Sequence, residues 1–216
     1  MDPLHFSVAI IPVAIYLLLL GALNLRKRPF VTSGARDCAA LAIGMVGLMI
    51  VGPMKLFFPE SAASRFGILV WLMLLIFYGL CVSLTVLLMR SRIVVYNVSA
   101  ETLRPILTSV ARSLDKNSRW NGDALWMPER RLQLHVEPIT WMSLVELTAG
   151  GNRQSYEAWR ILEKELAREL SKIPVSPNPF GVLFMVASGG LMVAALSWML
   201  WDQAGVANAF RDLLMI

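Results

Sequence analysis

Charge is what this chain has least of. Of its 216 residues, 16% are Asp, Glu, Lys or Arg against 56% hydrophobic, and the mean hydropathy is +0.60. That balance excludes an ordinary soluble domain of this length and makes a membrane protein the default. Cysteine is almost absent. Cys38 and Cys81 fall at the start of one apolar run and inside another, so they read as small buried hydrophobes rather than a disulfide pair, and they leave the redox compartment open. Histidine is as scarce, with His135 the only one beyond the amino-terminal tail. Catalytic signatures are missing too: no G-x-S-x-G, no H-E-x-x-H and no phosphate-cradling glycine motif occurs, which weakens hydrolase, kinase and nicotinamide-enzyme readings. No cofactor and no metal is expected.

The net charge of +5 and pI near 9.6 do not point to nucleic acid. The basic residues cluster beside apolar runs, where anionic lipid and topology account for them, and no basic stripe interleaves with aromatics. Charge is also missing from the middles of those runs, where polar residues are limited to groups such as Tyr16, Tyr78, Ser83, Thr85, Ser188 and Ser197. Proton relays and ion paths need intramembrane ionisable groups, so a transporter is the least favoured class. Hydroxyls of this kind commonly bond a carbonyl one turn back.

What the chain does have is four long apolar runs, at about 6–23, 38–58, 66–89 and 180–201. At ~1.5 Å per residue, about twenty residues cross a hydrocarbon core of ~30 Å, so all four read as transmembrane helices. Pro53 and Lys55 trouble only the end of the second, where a lysine can snorkel and a proline distorts the last turns. The first run is expected to be retained rather than cleaved, because its basic cluster follows the apolar stretch and no small-residue cleavage site is evident. Arg26, Lys27, Arg28 and Arg36 then mark a cytoplasmic loop, 59–65 an outer one, and Arg90 and Arg92 the cytoplasmic exit of the third span. Both termini are expected outside, and a bacterial inner membrane is the simplest home.

Residues 92–172 break the apolar pattern and read as a small cytoplasmic α+β domain inserted between the third and fourth spans. Ile93 to Val98 is β-branched and strand-like. Leu103, Ile106, Leu107, Val110, Ala111 and Leu114 keep helical spacing behind Ser99 or Thr102 as N-cap, with Pro105 arguing for a regular start near Thr102. Asn121-Gly122 signals a hairpin with a type I′ turn, Ala124 to Met127 and the alternation Leu132, Leu134, Val136 give strands, Pro138 is expected to end the latter, and 142–148 forms another before Gly150-Gly151-Asn152. A helix over about 154–170 aligns Tyr156, Trp159, Leu162, Leu166 and Leu170. The expected architecture is therefore membrane, mainly α, with a two-layer domain of antiparallel sheet and two helices. Residues 1–91 hold the first three spans, 92–172 the domain, and 173–216 a proline-stiffened return, the fourth span and a short outer amphipathic tail with Arg211 and Asp212 toward water.

Few residues stand out as functional. His135 and Glu137 are weak acid–base candidates, since a polar strand face explains both. Asn97-Val98-Ser99 matches a glycosylation acceptor but would lie on the cytoplasmic side. Gly150-Gly151 fits a turn better than an anion nest. Ala40, Gly44, Gly47, Gly189 and Gly190 are small residues that let helices approach closely, either within the bundle or against another membrane subunit. Trp120 and Trp126 are core residues or interface aromatics that enter headgroups or a partner pocket. The leading expectation is a non-catalytic accessory, scaffold or assembly subunit that binds a membrane or cytoplasmic protein beside the lipid bilayer, with self-association open. A membrane enzyme acting on lipid or on a membrane-bound substrate is the alternative.

Overall fold

The computed structural model describes residues 2–54, 56, 65–151 and 154–214, with backbone alone at 141 and 211–214. Lys55, most of the 59–65 loop, Asn152 and the water-facing side chains expected at Arg211 and Asp212 lie outside the described residues. The chain forms two compact units, one of Met1–Leu19, Ala39–Leu88 and Phe184–Ile216, the other of Leu20–Cys38 and Met89–Leu183.

Among the described residues, four helices are long and apolar enough to cross a membrane: α1 Pro3–Asn24, α2 Gly34–Met49, α3 Leu69–Leu88 and α6 Phe180–Trp201. A wider π-type turn, Ile50–Met54, extends α2 and takes in Pro53. Within the helical unit, α1 and α2 touch where glycine permits it: a Cβ on Gly47 would lie 1.9 Å from the Val8 carbonyl oxygen, and one on Gly44 would lie 2.7 Å from Tyr16 Cβ. Polar side chains also join helices. Ser188 donates to the Ala14 carbonyl at 2.7 Å, Ser7 to that of Ala195 and Tyr78 to that of Ala42, whereas Ser83 and Thr85 bond one turn back in their own helix. The one-turn-back expectation thus holds for some hydroxyls and fails for others. The outer surface of α3, with Leu72, Ile76, Phe77, Leu80, Leu84 and Leu87 exposed, is one that water opposes and lipid accepts. A last helix, α7, spans Gln203–Leu214.

The other unit is built on a six-stranded antiparallel sheet in the order β1-β2-β6-β5-β4-β3, with β1 Phe30–Ser33, β2 Arg92–Tyr96, β3 Arg119–Asn121, β4 Ala124–Met127, β5 Leu132–Ile139 and β6 Leu144–Ala149. Ile93, Val95, Val145, Leu147, Leu134, Leu132, Leu125 and Met127 alternate onto one face. Helices α4 Ala100–Leu114 and α5 Tyr156–Leu170 cover that face through Leu103, Leu107, Val110, Trp159, Leu162, Leu166 and Leu170.

Four details depart from the sequence expectation. The loop bearing Arg26 to Arg36 contributes strand β1, whose Val31 lies opposite Val95. Ser99, not Thr102, caps α4, its Oγ accepting from Thr102 N; the helix starts at Ala100 and carries Pro105 in its second turn, giving up the bond that Glu101 would have accepted. The hairpin loop is Gly122-Asp123 rather than Asn121-Gly122. Asn121 pairs with Ala124, and only Gly122 has positive φ (61°), which is the type II′ pattern. Finally, β5 runs through Pro138. Val136 N donates to the Asp123 carbonyl, so the nitrogens of 136 and 138 point to the β4 side, where β4 has already ended and no donor is required.

Candidate functional site

The second face of the sheet holds the polar chemistry, and the register arranges it in cross-strand rows. Phe30, Tyr96, Leu144 and Ile139 form one row; Thr32, Val94, Glu146 and Glu137 the next; Arg92, Thr148, His135 and Ala124 the third; and Gln133, Trp126 and Arg119 the last. At the β1–β2 end this face is closed, with Thr32, Val94, Tyr96 and Leu144 buried. The first turn of α2 lies over it. A Cβ on Gly34 would meet the Arg92 side chain at 2.1 Å, and Asp37 accepts from the Tyr96 hydroxyl. Arg92 stands between two carboxylates, 3.2 Å from Glu146 Oε2 and 3.6 Å from Asp37 Oδ2. Its Nε is buried with no acceptor among the described residues. One guanidinium thus ties the root of α2 to β2 and β6, and Arg36 adds a tie to Glu163 on α5 at 2.9 Å.

A second clasp joins the end of α1 to the start of α6. Asn178 N donates to the Asn24 carbonyl at 2.9 Å and its amide to Asn24 Oδ1 at 3.3 Å; Asn24 donates back to the Leu20 carbonyl, and both asparagines are buried. Val175 N donates to the Lys27 carbonyl, so hydrogen bonds as well as prolines hold the 173–179 return.

At the β3–β5 end the second face is open. His135 is exposed, its Nε2 so close over Gly150 that a Cβ there would lie 2.8 Å away, and Glu137 accepts from the Thr148 hydroxyl at 3.0 Å. Clefts of this unit include three among the described residues. One of about 170 Å³ is lined by Ala100, Glu101, Arg104, Trp120, Asp123, Val136 and Pro138; one of about 300 Å³ by Asn97, Ser99, Thr102, Ser143 and Ser176 with Val98, Pro174 and Val175; one of about 280 Å³ by Trp126, Pro128, Arg131, Leu132, Gln133, Gly151 and Gln154. His135 and Glu137 line none of these three. Among the described residues no group of three His, Cys, Asp or Glu could hold a metal ion.

The two hairpin tryptophans part company. Trp120 is half-buried against the core, its Nε1 donating to Thr108 Oγ1 at 2.9 Å and the Arg104 guanidinium stacked 4.7 Å from its ring centroid. Trp126, on the opposite face, is 47% exposed. The small residues divide as well. Gly44 and Gly47 are buried against α1, whereas Ala40, Gly189 and Gly190 are exposed, and a Cβ on either α6 glycine would have no neighbour within 4 Å among the described residues. Of the basic residues read as topology signals, Arg26, Lys27, Arg28 and Arg90 are exposed, while Arg36 and Arg92 are ion-paired. Asp37, Glu146, Tyr96 and the two asparagines were not singled out from the sequence. Asp37, Asn24 and Asn178 are polar residues at or near the ends of apolar runs, whereas Tyr96 and Glu146 lie inside strands and carry no signal of their own.

Fold and site together define a mainly helical protein with four membrane-length helices and a six-stranded antiparallel sheet whose second face is half closed and half open. No family model, curated protein or solved structure matches the chain.

Proposed function

We propose that this chain is a non-catalytic integral membrane subunit that assembles with another membrane protein through α6 and carries its sheet unit as a cytoplasmic platform. The observation that carries this reading is the open face of α6. Val186, Gly189, Gly190 and Val193 are exposed along it, and among the described residues nothing stands within 4 Å of where the two glycine Cβ atoms would be. Small residues facing outward at mid-helix suit close approach of a second helix, where dispersion contacts and weak Cα–H···O bonds replace a hydrophobic drive that lipid does not supply. The basic residues Arg26, Lys27, Arg28 and Arg90 favour an orientation with the sheet unit in the cytoplasm and both termini outside, in a bacterial inner membrane.

Mild-detergent purification with mass spectrometry of co-purifying proteins tests the assembly. A reproducible membrane partner is expected with the wild type and with the control Gly79→Leu, whose glycine is also open. Gly190→Leu is expected to lose it at unchanged expression. A lone monomer in every case overturns the reading.

A further inference from the structure

The row Gln133–Trp126–Arg119 lies at the end of the sheet that the chain enters from α3. Ala149 N donates to the Ser91 carbonyl, and Gly150 N donates to that of Gln133, so Arg90 and Ser91 stand level with this row. The row also belongs to the face on which the first turn of α2 rests, about 14 Å away across three inter-strand steps. Both neighbouring chain segments run directly into helices of membrane length. On this edge an exposed indole is flanked by cations: Arg119 pairs across strands with Trp126, and Arg131 lines the same cleft, both exposed. The carboxylates of this face sit further in and are engaged, Glu137 by Thr148, and Glu146 and Asp37 by Arg92.

We propose that Trp126, Arg119 and Arg131 form a docking surface for anionic phospholipid headgroups. Indole is favoured at the headgroup level because its ring is apolar and its N–H polar, and guanidinium groups pair with phosphate oxygens in two-pronged fashion. Basic side chains at a cytoplasmic membrane surface gain further from the negative potential of the inner leaflet. Such a surface makes the sheet unit sensitive to lipid charge.

The inference rests on the four helices spanning a bilayer, so the test carries a probe for each claim. In a full-length chain with Cys38 and Cys81 replaced by serine, an environment-sensitive fluorophore is placed at Gln133→Cys or Leu80→Cys, and the protein is reconstituted in nanodiscs of phosphatidylcholine alone or mixed with phosphatidylglycerol. Leu80, exposed on α3 and outside the α6 assembly face, is expected to be quenched by acyl-chain quenchers in both discs. Gln133 is expected to be quenched by headgroup-level quenchers in the anionic discs. Because a basic side chain near an anionic surface is worth roughly a fivefold change in occupancy, Arg119→Glu with Arg131→Glu should remove that quenching, and Trp126→Ala should weaken it. An unquenched Leu80 probe overturns the membrane reading itself. A quenched Leu80 probe with an unquenched Gln133 probe overturns the lipid surface alone, as does a Gln133 probe that responds to added poly-glutamate but not to lipid charge, which would assign the surface to an acidic protein.

Discussion

Arg92 shows how much one residue can hide in a sequence. Beside an apolar run it reads as a topology charge, and nothing local reveals that Asp37 approaches from a segment on the far side of two such runs. Tyr96, which donates to the same carboxylate, is 59 positions from it. In the folded chain the guanidinium compensates Asp37 and Glu146, all three at least two-thirds buried. Removing the cation leaves two partly desolvated carboxylates without a counter-charge, whereas removing one hydroxyl costs a single bond. Arg92→Met is therefore expected to destabilise by about 2 kcal/mol and Tyr96→Phe by about 1 kcal/mol. Thermal unfolding in detergent measures both, and equal midpoints for wild type and Arg92→Met would refute the account. The alternation in 132–137, by contrast, was fully legible: His135 and Glu137 are exposed because alternate residues of β5 point to the face of the sheet that is open at this end.

At the scale of elements, the limits of the code are clearest in the helices. All four membrane-length helices are visible as apolar runs, but an apolar helix looks alike on all sides, and its periodicity cannot say which face meets a neighbour. Gly44 and Gly47 face α1, and Gly189 and Gly190 face outward, although the sequence lists them as equivalent small residues. Substitution should separate them. Gly47→Leu must push its side chain into the Val8 carbonyl and is expected to cost about 2 kcal/mol or prevent accumulation, whereas Gly189→Leu should leave the unfolding midpoint unchanged. Strand β1 escaped notice for another reason: four residues among basic ones are too few for alternation to register, and only pairing with β2 defines them. The turn chemistry was half legible. Glycine at 122 was the right signal, but the register of the strands, which the turn alone does not reveal, decided which two residues form the loop.

For the whole molecule, the presence of membrane-length helices was legible because long apolar runs dominate the composition, and charge at the ends of those runs suggested an orientation. That orientation predicts opposite accessibility for two exposed positions. In intact bacterial cells, with native cysteines replaced, an impermeant maleimide is expected to label Asn208→Cys but not Lys116→Cys, which should react only after the membrane is permeabilised. Labelling of Lys116→Cys from outside would invert the topology. The antiparallel run of β3 to β6 was legible as consecutive strands, but the pairing of β1 with β2 was not, because it joins segments separated by two of the four apolar runs.

The strand supplied by the first loop also bears on where this protein can be divided. Cutting out 92–172 as an autonomous piece discards Phe30–Ser33 and uncovers Ile93, Val94 and Val95 along a bare ribbon edge. Such an edge pairs with whatever strand it meets first, most readily another copy of itself. The severed piece is thus a seed for clumping, and the short stretch ahead of the second greasy helix serves as its built-in sheath.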